Sequence, residues 1–126
     1  MIQFLLDTNA FLWYFLGSKR INQAKGLIES EESDVYISTV SLWEIATKVR
    51  TGKLDVDIDE LRLFAKDHFF TELSVSSDYI PAYLELPSLH RDPFDHMLLA
   101  QAITHPMRFI TGDAQLAQYS SLVTVV

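Results

Sequence analysis

Cysteine is absent from the chain, which rules out disulfides, thiolate catalysis and cysteine-bound zinc. A chain without it suits a reducing compartment, and a cytoplasmic location is expected. Glycine and proline number only four each and are scattered, so no linker, repeat or low-complexity segment divides the sequence. No apolar run approaches the roughly 20 residues needed to span a membrane. No basic stretch precedes the N-terminal apolar run, so no signal peptide is expected either. Positive charge is scarce as well. Ten Lys and Arg against 17 Asp and Glu leave a net charge of -7. That balance argues against a broad phosphate-binding face, which normally rests on Lys and Arg. It leaves open a small site in which a bound cation offsets the acids locally.

What the chain does have is a core. Its 126 residues are 48% hydrophobic, with a mean hydropathy of +0.11. They fit one domain over 1–126, large enough to bury apolar side chains well. The apolar pattern alternates between strand-like and helix-like segments. Strands are expected at about 2–6, 35–38, 72–75, 108–111 and 122–126. Helices are expected at about 8–16, 20–31, 41–51, 58–69, 77–84, 93–104 and 113–119. In the third of these helices, over 41–51, Leu42, Ile45, Ala46 and Val49 recur at i, i+3, i+4 and i+7. Strands alternating with helices imply crossovers, a mainly parallel sheet and an α/β fold. Ligands of such sheets bind outside the carboxyl ends of the strands.

Four acids stand where that edge should be. Asp7 ends the run Ile2-Gln3-Phe4-Leu5-Leu6, and Asp113 follows Phe109-Ile110-Thr111-Gly112. Glu44 and Asp95 fall in the first turns of the helices expected over 41–51 and 93–104. Each has a plainer reading. Asp7 and Asp113 suit helix N-caps, Asp92-Pro93 is an N-cap followed by Pro at N1, and Ser41-Leu42-Trp43-Glu44 matches a capping box. A cap and a metal ligand can be the same residue. Gathered carboxylates repel and need a cation to stay ionised together. A divalent metal site is therefore the economical reading, with metal-assisted phosphodiester hydrolysis as its chemistry.

The motifs around these acids resemble those of PIN domains. Leu5-Leu6-Asp7-Thr8-Asn9-Ala10-Phe11-Leu12-Trp13 is similar to the family's opening motif and Ser41-Leu42-Trp43-Glu44-Ile45-Ala46 to its second. His90-Arg91-Asp92-Pro93-Phe94-Asp95, followed by Leu98-Leu99-Ala100-Gln101-Ala102, is similar to the third, and Ile110-Thr111-Gly112-Asp113 to the fourth. The ordered set spans nearly the whole chain and looks most like VapC-type toxins of toxin–antitoxin pairs. The resemblance implies a three-layer α/β/α fold and a Mg²⁺- or Mn²⁺-dependent endoribonuclease using a metal-activated water. It makes Asp7, Glu44, Asp95 and Asp113 the catalytic, metal-holding quartet. Thr8, Asn9, Asp92 and Thr111 become its supporting polar residues, with Arg91 and His96 as RNA contacts. It also implies an RNA substrate, a cognate antitoxin and a homodimer. The chain departs from the family where Arg is common, at His96, and where a basic residue is common, at Gly112. An RNA-processing nuclease without an antitoxin, and a catalytically idle binding module, are the alternatives.

Other motifs point to less. Asp55, Asp57 and Asp59 mimic the start of an EF-hand loop, but its sixth and twelfth positions hold Glu60 and Lys66 instead of Gly and Glu. No phosphate-binding G-x-x-x-x-G-K-[ST] and no nucleophile elbow G-x-S-x-G occurs. The aromatic run Trp13-Tyr14-Phe15 reads as core packing or as a protein contact.

Overall fold

The computed structural model describes residues 1–88 and 92–126. Its five strands, β1 (Ile2–Leu6), β2 (Ser33–Ser38), β3 (Thr71–Leu73), β4 (Arg108–Thr111) and β5 (Val123–Val125), form one sheet in the order β3-β2-β1-β4-β5. Every pairing is parallel. The helices are α1 (Thr8–Leu16), α2 (Asn22–Glu29), α3 (Thr39–Arg50), α4 (Ile58–Asp67), α5 (Ile80–Glu85) and α6 (Pro93–Thr104). Short 3₁₀ turns cover Lys19–Ile21, Ser77–Tyr79 and Ala114–Gln118.

The period-2 alternation of β1 divides the core between two faces. Phe4 and Leu6 join Phe11, Ile28, Ile45 and Leu61 on one side, whereas Leu5 joins Leu98, Leu99, Phe109 and Leu116 on the other. Helices thus cover both sheet faces, giving the expected three-layer α/β/α architecture. No helix among the described residues is long and apolar enough to cross a membrane.

The chain builds β1, β2 and β3 outward in one direction, then returns to lay β4 on the other side of β1. The strand order therefore reverses between β1 and β4. At such a switch point the loops leaving neighbouring strands part, and a crevice opens at their carboxyl ends. Asp7 N–H donates to the Ile110 carbonyl at 2.9 Å, carrying the β1–β4 ladder one residue past the strand.

Two expectations need correction. The capping box does not form. Ser38, the last residue of β2, is the actual cap of α3 and accepts from Val40 N–H at 3.0 Å. Strand and helix abut without a loop, so Glu44 lies in the second turn, beyond cap range. The helix expected over 20–31 is split, with a 3₁₀ turn over Lys19–Ile21 before α2 begins. The EF-hand mimic is a helix start: Asp57 caps α4, accepting from Asp59 N–H at 2.8 Å and Glu60 N–H at 3.1 Å.

Candidate metal centre

Asp7, Glu44, Asp95 and Asp113, taken from positions spread over the whole sequence, line a single cavity of about 220 Å³ together with Thr8, Asn9, Lys48 and Asp92. The elements explain the convergence. Asp7 leaves β1 and Asp113 leaves β4, the two strands at the switch point. Glu44 comes from α3, which starts directly after β2. Asp95 comes from the first turn of α6, where Asp92 caps the helix by accepting from Phe94 N–H at 2.9 Å.

The cap reading and the site reading hold together for two of the acids. Asp7 Oδ1 accepts from Ala10 N–H at 2.7 Å and so caps α1, while Oδ2 accepts from the Thr111 hydroxyl. Asp113 accepts from Gln115 N–H at 2.9 Å, and its own N–H donates to Thr111 Oγ1 at 3.0 Å. Thr111 therefore ties the first acid to the fourth across the switch point. Thr8 does the same for Glu44. Its hydroxyl donates to Glu44 Oε1 at 2.6 Å and lies 3.0 Å from the Ser41 hydroxyl. Thr8 has a single proton, and a carboxylate can only accept, so Ser41 donates to Thr8 in turn.

Burial, with charge crowding behind it, raises the proton affinity of two carboxyls. Burial lifts Asp7 to about 6, against the lowering effect of its bonds from Thr111 and Ala10, with the charges of Glu44 and Asp113 adding to the rise. Burial lifts Asp95 further, to about 8, followed by repulsion from Asp92, Asp7, Glu44 and Asp113. These are groups that gain from a cation in their midst. One cation is already there. Lys48 Nζ stands 3.3 Å from Glu44 Oε2, one turn further along α3. The sequence carried its signal as an i,i+4 Glu–Lys pair, yet Lys48 was not among the expected site residues.

Among the described residues, no three acids or histidines lie close enough to clasp an ion by themselves. The donors are nevertheless all oxygen, with five carboxylates around one small cavity. Mg²⁺ prefers oxygen, usually takes only one or two carboxylates, and keeps several waters. The set fits a cation that retains part of its hydration shell. It does not fit one wrapped directly by four side chains.

The remaining expected residues divide. Thr8, Asn9 and Asp92 line the cavity, and Thr111 supports it from below. His96 is placed elsewhere: its Nε2 lies 3.1 Å from the Tyr119 hydroxyl and its ring packs edge-on to Tyr83 and Tyr119. Arg91 lies outside the described residues. Tyr14 and Phe15 pack against Phe64, and Tyr14 also meets Phe70 and bonds Glu29, so both belong to the core side of α1. Trp13 also packs against that core from one side and lines the cavity beside Asp113 with the other.

The profile of the PIN domain matches residues 4–122. The chain belongs to the PIN domain family. It is 23% identical over 122 residues to Ribonuclease VapC22 of Mycobacterium tuberculosis, covering 94% of this chain and 93% of that one. The fold is similar to that of a chain of VapBC2 from Rickettsia felis, crystallised with a promoter DNA fragment. That match has a TM-score of 0.74 at 14% identity and covers 99% and 98% of the two chains. A toxin–antitoxin complex from Klebsiella pneumoniae contains a chain matching with a TM-score of 0.71 at 20% identity, over 96% and 95%. A chain of VapBC-5 from Mycobacterium tuberculosis matches with a TM-score of 0.65 at 18% identity, over 100% and 98%.

Proposed function

We propose that this PIN-domain chain is a divalent-cation-dependent endoribonuclease and the toxin of a toxin–antitoxin pair. The observation that carries the reading is the gathering of Asp7, Glu44, Asp95 and Asp113 in one crevice at the switch point. The name of the Mycobacterium relative and the kind of complexes that share the fold support the ribonuclease and the antitoxin respectively. Asp7, Glu44, Asp95 and Asp113 would hold a partly hydrated Mg²⁺ or Mn²⁺, some of them through its waters, and such an ion would polarise a phosphoryl oxygen and lower the pKa of a water. The chain's own residues prepare that event. Thr111 and Ala10 N–H fix both oxygens of Asp7, and Thr8 fixes Glu44. Lys48 neutralises part of the acidic field where the phosphate must approach. Asn9, exposed at the rim, is placed to meet the RNA backbone.

The purified chain should cut single-stranded RNA in millimolar Mg²⁺ or Mn²⁺ and lose that activity in EDTA. Equal cleavage in EDTA, or none with either ion, would overturn the reading. The toxin assignment has its own test in cells. Expression of the chain alone should arrest growth in the cytoplasm, and co-expression of a small neighbouring protein should relieve it. Such an antitoxin would insert an Arg or Lys into the crevice in place of the cation. A homodimer is the expected assembly, and light scattering of the purified chain measures it.

The supporting hydroxyls should matter almost as much as the acids. Thr8→Val keeps the side-chain shape and removes the proton given to Glu44. Loss of such an orienting bond typically weakens metal affinity or activity by about 10- to 100-fold. Calorimetric Mn²⁺ titration of Thr8→Val should show a loss in that range, and an affinity equal to wild type would refute the role given to Thr8.

A further inference from the structure

A second cavity, of about 540 Å³, adjoins the acidic crevice and shares Asn9 and Asp113 with it. Trp13 and Arg20 supply its distinctive walls, and the proposed cleavage chemistry uses neither. The indole lies so close over Gly112 that a Cβ there would come within 2.2 Å of its outermost ring carbon. Gly112 is thus the residue that lets the ring lie at the edge of the acidic site. The Arg20 guanidinium stands 5.3 Å from the centre of the same ring, within cation–π range. A tight chain reversal brings the two together. Gly17 closes α1 in the left-handed conformation at φ 67°, Ser18 N–H returns to the Trp13 carbonyl at 2.8 Å, and Ser18 Oγ accepts from Arg20 N–H at 3.2 Å. Among the described residues no ion pair ties up Arg20, whose side chain is exposed.

We propose that this cavity is a nucleotide subsite, in which the base next to the scissile phosphate stacks on Trp13 while Arg20 takes the neighbouring phosphate. The proposal rests on the nuclease reading and names how that site holds its substrate. A π-face accepts any base, and a guanidinium matches a phosphate in two parallel bonds. The volume falls in the range of small-molecule sites. Binding exchanges the Arg20–Trp13 contact for base stacking on the ring and a charge-assisted bond to phosphate. Asn9, Arg20 and Asp113 make the lining too polar for an apolar peptide side chain, which favours RNA over a protein occupant.

The chain has two tryptophans, so Trp43→Phe leaves Trp13 as the only indole reporter. Titration of that protein with a short oligouridylate in millimolar Ca²⁺ should quench its fluorescence to saturation. Arg20→Gln should weaken the binding and reduce its salt dependence by roughly one phosphate contact. In cleavage assays, Trp13→Leu and Gly112→Ala should each raise KM by roughly 5- to 150-fold, the span that base–aromatic stacking covers, with a smaller change in kcat. The second variant displaces the ring without deleting it, and Trp13→Phe should recover most of the loss. Absence of quenching, or an unchanged KM in folded Trp13→Leu and Gly112→Ala, overturns the subsite while leaving the nuclease reading intact. Unchanged KM with weakened binding of the antitoxin also overturns it and assigns the cavity to the protein partner. If wild type cleaves no RNA, the nuclease reading falls, and a titration without quenching removes the subsite with it.

Discussion

Replacing Asp95 with asparagine should abolish RNA cleavage and, at the same time, make the cation-free protein more stable. The two effects share one cause. In the fold Asp95 is partly desolvated and faces Asp92, Asp7, Glu44 and Asp113, which raises its carboxyl to about 8 from an ordinary value of 3.8. The native state therefore holds a proton that the unfolded chain gives up near pH 4. Stability without a cation falls as pH rises through that window, because the unfolded state then binds fewer protons than the native state. The loss is complete once pH passes about 8. Asparagine carries no charge and escapes it. Allowing for solvent screening of a group that is only partly buried, the gain at pH 9 should be on the order of 1–2 kcal/mol, about 3–8 °C in Tm. At pH 5 only the first part of that window has been crossed, so the variant should gain much less than at pH 9. Activity should move the other way: if Asp95 helps hold the proposed cation, whose contribution to the reaction is several kcal/mol, its loss lowers kcat by roughly 10³-fold. Thermal melts at pH 5 and 9 with EDTA, beside cleavage rates, measure both arms. A variant that keeps wild-type cleavage, or that melts lower than wild type at pH 9, would contradict the account. Asp7→Asn is the poorer probe of stability. Thr111 donates to one oxygen of Asp7 and Ala10 N–H to the other, so an amide replaces two charge-assisted bonds by weaker neutral ones and forces the Thr111 hydroxyl to turn its proton away.

The second large effect concerns cation binding and pH. Protons and the cation compete for the same oxygens. Asp7, raised to about 6, and Asp95, raised to about 8, both carry protons in mildly acidic solution. Mn²⁺ affinity should therefore climb between pH 6 and 8, by up to about tenfold per unit for each proton released. A ligand present at 100 times its Kd stabilises the native state by about 2.7 kcal/mol. Millimolar Mn²⁺ should accordingly raise Tm clearly at pH 8 and much less at pH 6. The increase should disappear in an Asp7→Asn, Asp95→Asn double variant. A Tm shift of equal size at both pH values, or one that survives the double variant, would place the binding elsewhere.

Much of this site was legible because local chemistry fixed its parts. Asp92-Pro93 marks a helix start that no neighbouring segment contradicts, and α6 runs from Pro93 to Thr104 as the periodicity predicts. β4 likewise spans the expected Arg108–Thr111. The start of α3 misled because Ser38, Thr39 and Ser41 are all acceptable caps. The S-x-x-E pattern favoured Ser41, whereas the end of β2 placed Ser38 at the helix entrance. Lys48 reads in the sequence only as one of a few basic residues near Arg50 and Lys53, because a cation carries no signal as a metal ligand. Its place in the crevice follows from the helical spacing to Glu44, once α3 is known to point that face at Asp7. Nothing local joins Trp13 to Gly112. Their contact exists because α1 and the turn after β4 leave adjacent strands at the switch point.

The claim on which the rest depends is that a divalent cation sits among these acids. A crystal of the protein grown at pH 8 and soaked in Mn²⁺, with data collected near the manganese absorption edge, tests it directly. The account predicts an anomalous peak in the crevice, with ligands drawn from Asp7, Glu44, Asp95 and Asp113, water completing the coordination, and Lys48 moved away from Glu44. A saturating soak that leaves the crevice without an anomalous peak, while Lys48 remains paired with Glu44, would contradict it.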